Sequence, residues 1–317
     1  MDCVWNDELM AISSPYSRMA HSKISCGVLL SNSSASRLIS SAKDMGGIIT
    51  RYNRGMDSAT AQQLLALNRD FYERFGADFS ATRRRLQPGV TRLLETLTGD
   101  ESILDLGCGN GELARTLARR GHRAPYLGLD FSLSLLSDAS ALPERFHARF
   151  MEADLTKLSV ISDQLSVISD QLSVISDQLS VISHQLLITD HWSLITCFAT
   201  LHHIPSHDLR LQLLRTVHSL LAPNGRFLHS NWQFLNSAKL RGRVQPWERI
   251  GITAADVDAG DCLLDWRRGG EGLRYVHQFS EEELSALADE SGFEVAETFY
   301  SDGEGGRLGL YQVWRKK

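Results

Sequence analysis

Three aspartates and three glycines carry the first chemistry legible in the chain. The stretch "SILDLGCGNGE", Ser102 to Glu112, is an apolar run holding one acid, Asp105, and it ends in Gly107, Gly109 and Gly111 at steps of two. Glycines placed after a buried strand let a ligand come close to the backbone. No Gly-Lys-Ser/Thr follows, so the loop is not a P-loop. The dinucleotide fingerprint needs a small residue where Glu112 stands, and a large charged side chain there argues against a pyrophosphate. Asp105 points the same way, because a carboxylate repels a diphosphate and attracts a cation. Asp130 ends the next apolar run, "APYLGLD", roughly twenty residues on, where an acid can hold ribose hydroxyls. Asp154 ends the third, "HARFMEADL". Acids at three successive strand ends suit a nucleoside that carries positive charge and no phosphate.

The elements that must position these residues alternate. "SILDL", "APYLGLD", "HARFMEADL", "HWSLITCFATL" and "GRFLHSNW" read as strands. Between them, "GELARTLARRG" and "SLSLLSDASAL" read as helices. "SHDLRLQLLRTVHSLLAPNG" reads as a longer one, with Ser206 as its N-cap and Pro223 and Gly225 at its end. "SEEELSALADESGF" opens with a capping box, Ser280 with Glu283 three residues on, and closes at Gly292. "EVAETFYS" and "LGLYQVWR" form a strand pair around the "DGEGG" turn. Ahead of the alternation, Leu64, Leu65, Leu67, Phe71 and Phe75 recur at helical spacing, and Pro88 starts a second helix. The expected fold is α/β. It is a Rossmann-like, seven-stranded, mainly parallel sheet with helices on both faces and an antiparallel C-terminal strand pair. Ligands of such sheets lie beyond the carboxyl ends of the strands.

"LDLGCGNGE", with "LGLDFS" and "ADL" behind it, resembles the cofactor site of class I S-adenosylmethionine-dependent methyltransferases over roughly residues 100–232. The resemblance implies that Asp105, Gly107, Cys108, Gly109, Asn110, Gly111, Asp130, Phe131 and Asp154 line a site for S-adenosylmethionine. Asp130 would bind the ribose hydroxyls, Asp154 the adenine amino group, and Asp105 would sit near the methionine end. No metal is expected.

Three further stretches resemble the tRNA wobble-uridine carboxymethyl methyltransferases: "FSATR" (Phe79 to Arg83), the loop with Asn110, and "TLHHIPSHDLR" (Thr200 to Arg210). "NWQF" and "RYVHQFSEEEL" echo their substrate-side segment. The sequence departs from that family where "DHWSLI" replaces the Phe-Asp start of the fourth strand. By this resemblance His202, His203 and Arg83 are the candidate catalytic residues. A histidine would orient the acceptor or take a proton, and Arg83 would pair with a carboxylate of cofactor or substrate. The competing readings are that one histidine caps the following helix while the other packs beneath it, and that Arg83 is one of three adjacent surface arginines. Lys239, Arg241, Arg243, Arg249, Arg267, Arg268 and Arg274, interleaved with Trp247, Trp266 and Tyr275, mark residues 233–278 as a substrate-side lid. Cations beside aromatic faces suit a single-stranded tRNA loop, and a small-molecule acceptor is the alternative. A third reading is a non-catalytic binding protein that retains the fold.

Composition bounds the rest. The chain has 317 residues, net charge −5 and 43% hydrophobic residues, the profile of a soluble protein and not of a generally basic nucleic-acid binder. No apolar stretch reaches the roughly 18 to 20 residues of a membrane span. The acidic N-terminus lacks a signal-peptide pattern, so a cytoplasmic location is expected. The five cysteines are scattered without a CxxC pair, which indicates neither a disulfide framework nor a zinc site. Residues 1–60, rich in serine, read as a poorly ordered extension before a methyltransferase domain at 61–317. Inside that domain, 159–186 writes one seven-residue unit four times, from "SVISDQL" to "SVISHQL". Its Ile and Leu positions make a heptad seam. The alternative is a duplicated coding stretch tolerated as a protrusion, since insertions add little closure entropy.

Overall fold

The computed structural model describes residues 55–82, 85–139, 142, 146–159, 191–303 and 305–317. Arg83, most of the proposed extension, and the heptapeptide insertion beyond Ser159 lie outside the described residues.

Seven strands form one sheet in the order β3-β2-β1-β4-β5-β10-β9. They are β1 (Ile103–Leu106), β2 (Tyr126–Asp130), β3 (Ala148–Glu152), β4 (Trp192–Phe198), β5 (Leu221–Trp232), β9 (Phe293–Ser301) and β10 (Gly309–Lys316). The first five run parallel, and β10 is antiparallel to both β5 and β9. The expected fold class is therefore observed. Strand order reverses at β1, which lies between β2 and β4, so the ligand crevice belongs above β1 and β4.

Side-chain alternation explains the two faces. Leu104, Leu106, Ile195 and Phe227 face one core with Leu213, Leu214 and Val217 of α5 (His207–Leu220) and Leu284 and Leu287 of α6 (Glu281–Glu290). Ile103, Leu194 and Leu228 face the other, with Val90 and Leu93 of α2 (Pro88–Leu94) and Leu113 and Leu117 of α3 (Glu112–Arg119). The anticipated caps are in place: the Ser206 hydroxyl accepts from Leu209 N–H at 3.3 Å and the Ser280 hydroxyl from Glu283 N–H at 3.1 Å.

Two features position the site from outside this sheet. Residues 244–277 contain a second, antiparallel sheet, β6 (Val244–Gln245), β7 (Asp261–Trp266) and β8 (Gly272–His277), in that order. This sheet falls within residues 233–278, where the sequence pattern predicts only a substrate-side lid. Helix α1 (Ser58–Ala81), capped by Asp57, packs Leu64 against Leu263 and Tyr275 of the small sheet. Further along α1, Phe71, Tyr72 and Phe75 pack with Trp266 and with Leu135 of α4 (Leu133–Asp138). One helix thus lies between the small sheet and the loops at the carboxyl ends of the parallel strands. No described helix is long and apolar enough to cross a membrane.

Candidate active site

The glycine loop turns sharply, with Gly107, Gly109 and Gly111 at φ of +74°, +54° and +76°. Their roles differ. A Cβ on Gly107 would lie 2.1 Å from the Thr200 hydroxyl, and one on Gly111 would lie 2.9 Å from the Ala139 Cβ. These two glycines allow close packing. Among the described residues, a Cβ on Gly109 would meet nothing within 4 Å, so the middle of the loop faces space where a ligand can reach the backbone. Cys108 is buried beneath the loop in the space that Gly128 leaves, and burial pushes its thiol well up. The amide of Asn110 donates to the Ser80 hydroxyl at 3.0 Å, which ties the loop to the end of α1.

The three acids occupy different environments. Asp130 ends β2 and is 6% exposed; its carboxylate accepts from Gly109 N–H and Ser132 N–H, each at 2.9 Å. Burial raises its pKa. Each oxygen keeps a second lone pair, so the same carboxylate that shapes the loop can accept from a ligand's hydroxyls. Asp105 lies within β1, one residue before its end. It accepts from Tyr126 Oη at 2.6 Å and Thr196 Oγ1 at 2.7 Å. Burial pushes its pKa up to about 6, opposed by those two hydroxyls. Asp105 therefore braces three neighbouring strands beneath the loop. Asp154 lies two residues beyond β3, not at its end. It caps the turn Leu155–Lys157 by accepting from Thr156 N–H at 3.0 Å, and its other oxygen pairs with Arg69 of α1 at 3.2 Å. Arg69 also lies over the Phe131 ring, 6.0 Å from its centre. Acids around a glycine loop with an open middle fit a cationic nucleoside and disfavour a diphosphate.

On the other side of the crevice, β4 leads into the turn Leu201–His203 through Ala199, a non-glycine residue at φ +51°, a strained conformation typical of functional turns. His202 is 2% exposed, and its Nδ1 accepts from Trp232 N–H at 3.3 Å. Burial, with His203 and Arg274 nearby, holds its pKa well below the usual range, so it is neutral. His203 Nδ1 donates to the Tyr275 carbonyl at 3.3 Å, which leaves Nε2 to accept from the Tyr72 hydroxyl at 3.0 Å. Neither histidine caps α5; Ser206 does. Histidines and glycine loop meet through Thr200 and through Tyr72, whose ring stands edge-on to Phe131 at 5.7 Å.

Sequence reasoning missed Asn68 and Tyr72. Asn68 pairs with both backbone groups of Tyr275, accepting from its N–H at 2.8 Å and donating to its carbonyl at 3.1 Å. The signal was present: Asn68 sits four residues after Leu64 and three before Phe71, a polar residue on the apolar stripe. Such a residue is bonded when buried. Among the described residues no cluster of three His, Cys, Asp or Glu could hold a metal.

The sequence pattern of one family, described as "Methyltransferase domain", matches residues 79–298. The Encephalitozoon cuniculi protein ECU09_1500, whose name assigns it to the methyltransferases, is 28% identical over 227 residues, 71% of this chain and 86% of that one. Trans-aconitate 2-methyltransferase of Deinococcus radiodurans is 37% identical over 94 residues, 29% of this chain and 33% of that one. The chain therefore spans about a third of that enzyme. Among solved structures, the DhpI–SAH complex aligns with a TM-score of 0.50 at 15% identity, covering 80% of this chain and 98% of that one.

Proposed function

The chain belongs to the methyltransferase-domain family, and we propose that its methyl donor is S-adenosylmethionine and its acceptor the carboxylate of a modified tRNA wobble uridine. The observation that carries the donor is the glycine loop: Gly109 opens onto free space while Asp130 grips the same residue's N–H from below. Asp130 would hold the ribose, the loop backbone the methionine portion, and Phe131 with Asp154 the adenine. When bound, S-adenosylmethionine supplies a methyl group activated by a sulfonium. The chain's own residues supply alignment and a dry environment. Tyr72 of α1 stands edge-on to Phe79 at 5.2 Å and to Phe131 at 5.7 Å, rings that would keep water from the crevice, and its hydroxyl meets His203 at 3.0 Å. A carboxylate acceptor is already ionised at neutral pH, so no strong base is needed.

The tRNA acceptor rests on the "FSATR", "TLHHIPSHDLR" and "RYVHQF" resemblances. The small-molecule reading has its own support. Asp265 pairs with Arg243 at 2.9 Å and with Arg267 at 2.7 Å, which dilutes the basic field of the lid, and a relative is named for trans-aconitate. Labelled S-adenosylmethionine should transfer its methyl group to a tRNA fraction, and tRNA binding should weaken steeply with salt. Label confined to small metabolites, or binding without a salt slope, would refute the tRNA acceptor.

Gly107 and Gly109 provide a paired check. Gly107→Ala is expected to unfold or severely destabilise the protein, because the new methyl collides with Thr200 at 2.1 Å. Gly109→Ala has room and pays only the left-handed backbone cost of roughly 1–2 kcal/mol. It should fold, yet bind S-adenosylmethionine at least about tenfold more weakly, since its methyl fills the ligand space. Thermal melts and calorimetric titration read the two effects separately.

A further inference from the structure

Arg69 of α1 reaches the end of the cofactor site that lies away from the glycine loop. Its Nη2 donates to Asp154 Oδ2 at 3.2 Å, and its guanidinium lies 6.0 Å from the centre of the Phe131 ring. Tyr72, three residues on and so on the same face of the helix, stands edge-on to that ring at 5.7 Å. Phe131 in turn follows Asp130, whose carboxylate holds the Gly109 N–H. Glycine loop, Asp130, Phe131, Arg69 and Asp154 therefore form one continuous run. The Asp154 end of it is open to solvent: the Arg69 side chain is 51% exposed, the Asp154 side chain 25%, and Phe131 is half-buried. The helix that carries Arg69 is pinned. Asn68, next to it, pairs with the Tyr275 backbone, and Ser80 at the helix end donates to Asp138 at 2.7 Å and accepts from Asn110 at 3.0 Å.

The lone pairs of Asp154 can be assigned one by one. Oδ1 accepts from the Thr156 N–H at 3.0 Å and from the Thr156 hydroxyl at 2.6 Å, which fills both of its lone pairs. Oδ2 accepts from Arg69, while Lys157 Nζ stays 3.9 Å away, beyond hydrogen-bond distance. Among the described residues one lone pair of Oδ2 is therefore left. A carboxylate oxygen with a single free lone pair beside an aromatic ring selects a flat base that brings an N–H donor to its edge. It opposes a base that brings a carbonyl there, because two acceptors then face each other. We infer that Arg69 is a positioning residue of the cofactor site: it holds Asp154 so that Oδ2 meets the exocyclic amino group of the adenine, and thereby gives the site its preference for an amino-bearing base over the carbonyl counterpart. The inference rests on the S-adenosylmethionine reading above. Without Arg69, Oδ1 stays tied to Thr156, but nothing described at hydrogen-bond distance fixes Oδ2, and the terminal torsion of an aspartate is broad.

The test measures binding of two probes to the full chain by calorimetry, and it needs no acceptor. The probes are S-adenosylhomocysteine and S-inosylhomocysteine, in which a carbonyl replaces the amino group of the base. The wild type should bind the adenine probe about tenfold or more tightly, the scale of one hydrogen bond to a charged group. Arg69→Ala should bind it about three- to tenfold more weakly while the carbonyl probe changes little, so that the two affinities come within about threefold of each other. Arg69→Lys keeps the charge but not the planar fork, and its preference should fall between wild type and Arg69→Ala. Because the ion pair is exposed, both variants should melt within about 4 °C of wild type, which confirms that they fold. A purely structural role for Arg69 would weaken both probes alike. Equal losses with the preference intact would overturn the inference, and so would an unchanged affinity for the adenine probe. Equal binding of both probes by the wild type would overturn it together with the adenine role of Asp154, yet leave the donor reading standing. Binding of neither probe by the wild type would overturn the donor reading as well.

Discussion

Arg210→Ala should cost about 3–5 kcal/mol of stability, the range for removing one partner of a buried charge pair. Arg210 is 1% exposed and joins four groups: its Nε donates to the Ile204 carbonyl at 3.0 Å, Nη1 to Glu283 at 3.2 Å, and Nη2 to Asp261 at 3.3 Å and Tyr275 Oη at 3.0 Å. His277 bridges the same two acids, with Nδ1 2.6 Å from Asp261 and Nε2 2.9 Å from Glu283. Alanine would leave Asp261 with excess negative charge where no water can screen it. For a domain of this size the loss corresponds to a melting temperature lower by roughly 10 °C. The effect should reach the site, because the cluster fixes Tyr275, and Tyr275 holds His203 and Asn68. Urea unfolding of Arg210→Ala checks the estimate, and a loss under about 1 kcal/mol would show that the cluster contributes little.

Asp130→Ala should abolish measurable binding of S-adenosylmethionine, by about 100-fold or more. The substitution removes an expected ligand to the ribose and the two bonds that hold Gly109 and Ser132 in place. The buried Ser132 N–H would lose its acceptor, at about 1–3 kcal/mol, and the part-buried Gly109 N–H would lose its own. Asp130→Asn should do little better, since its amide nitrogen would face one N–H donor with another. Calorimetric titration of both variants is the measurement. Near-normal affinity in either would remove Asp130 from the cofactor site and leave it as a brace of the loop.

The sheet and its loop were legible in the sequence because local rules set them. Short, nearly continuous apolar runs define β1, β2 and β4, glycines permit the φ values of the loop, and Ser206 and Ser280 bond to N–H groups three residues away. None of these needs a distant partner. The strand ends were less secure: Asp154 falls beyond β3, where its carboxylate caps a turn and meets Arg69 of α1. The strands of the second sheet are short, and the Arg and Trp residues of the segments between and beside them read as surface.

Sequence by itself determined the succession of strands and helices that build the seven-stranded sheet, the glycine loop with Asp130 behind it, and the methyltransferase family. Tertiary structure alone decided which side chains face the crevice. Asn68 meets Tyr275 across 207 positions of chain, and Phe71 meets Arg274 across a similar span. The reason is physical: a buried polar or charged group is defined by the partners that satisfy it. When those partners come from elements far apart in the chain, no local spacing records them.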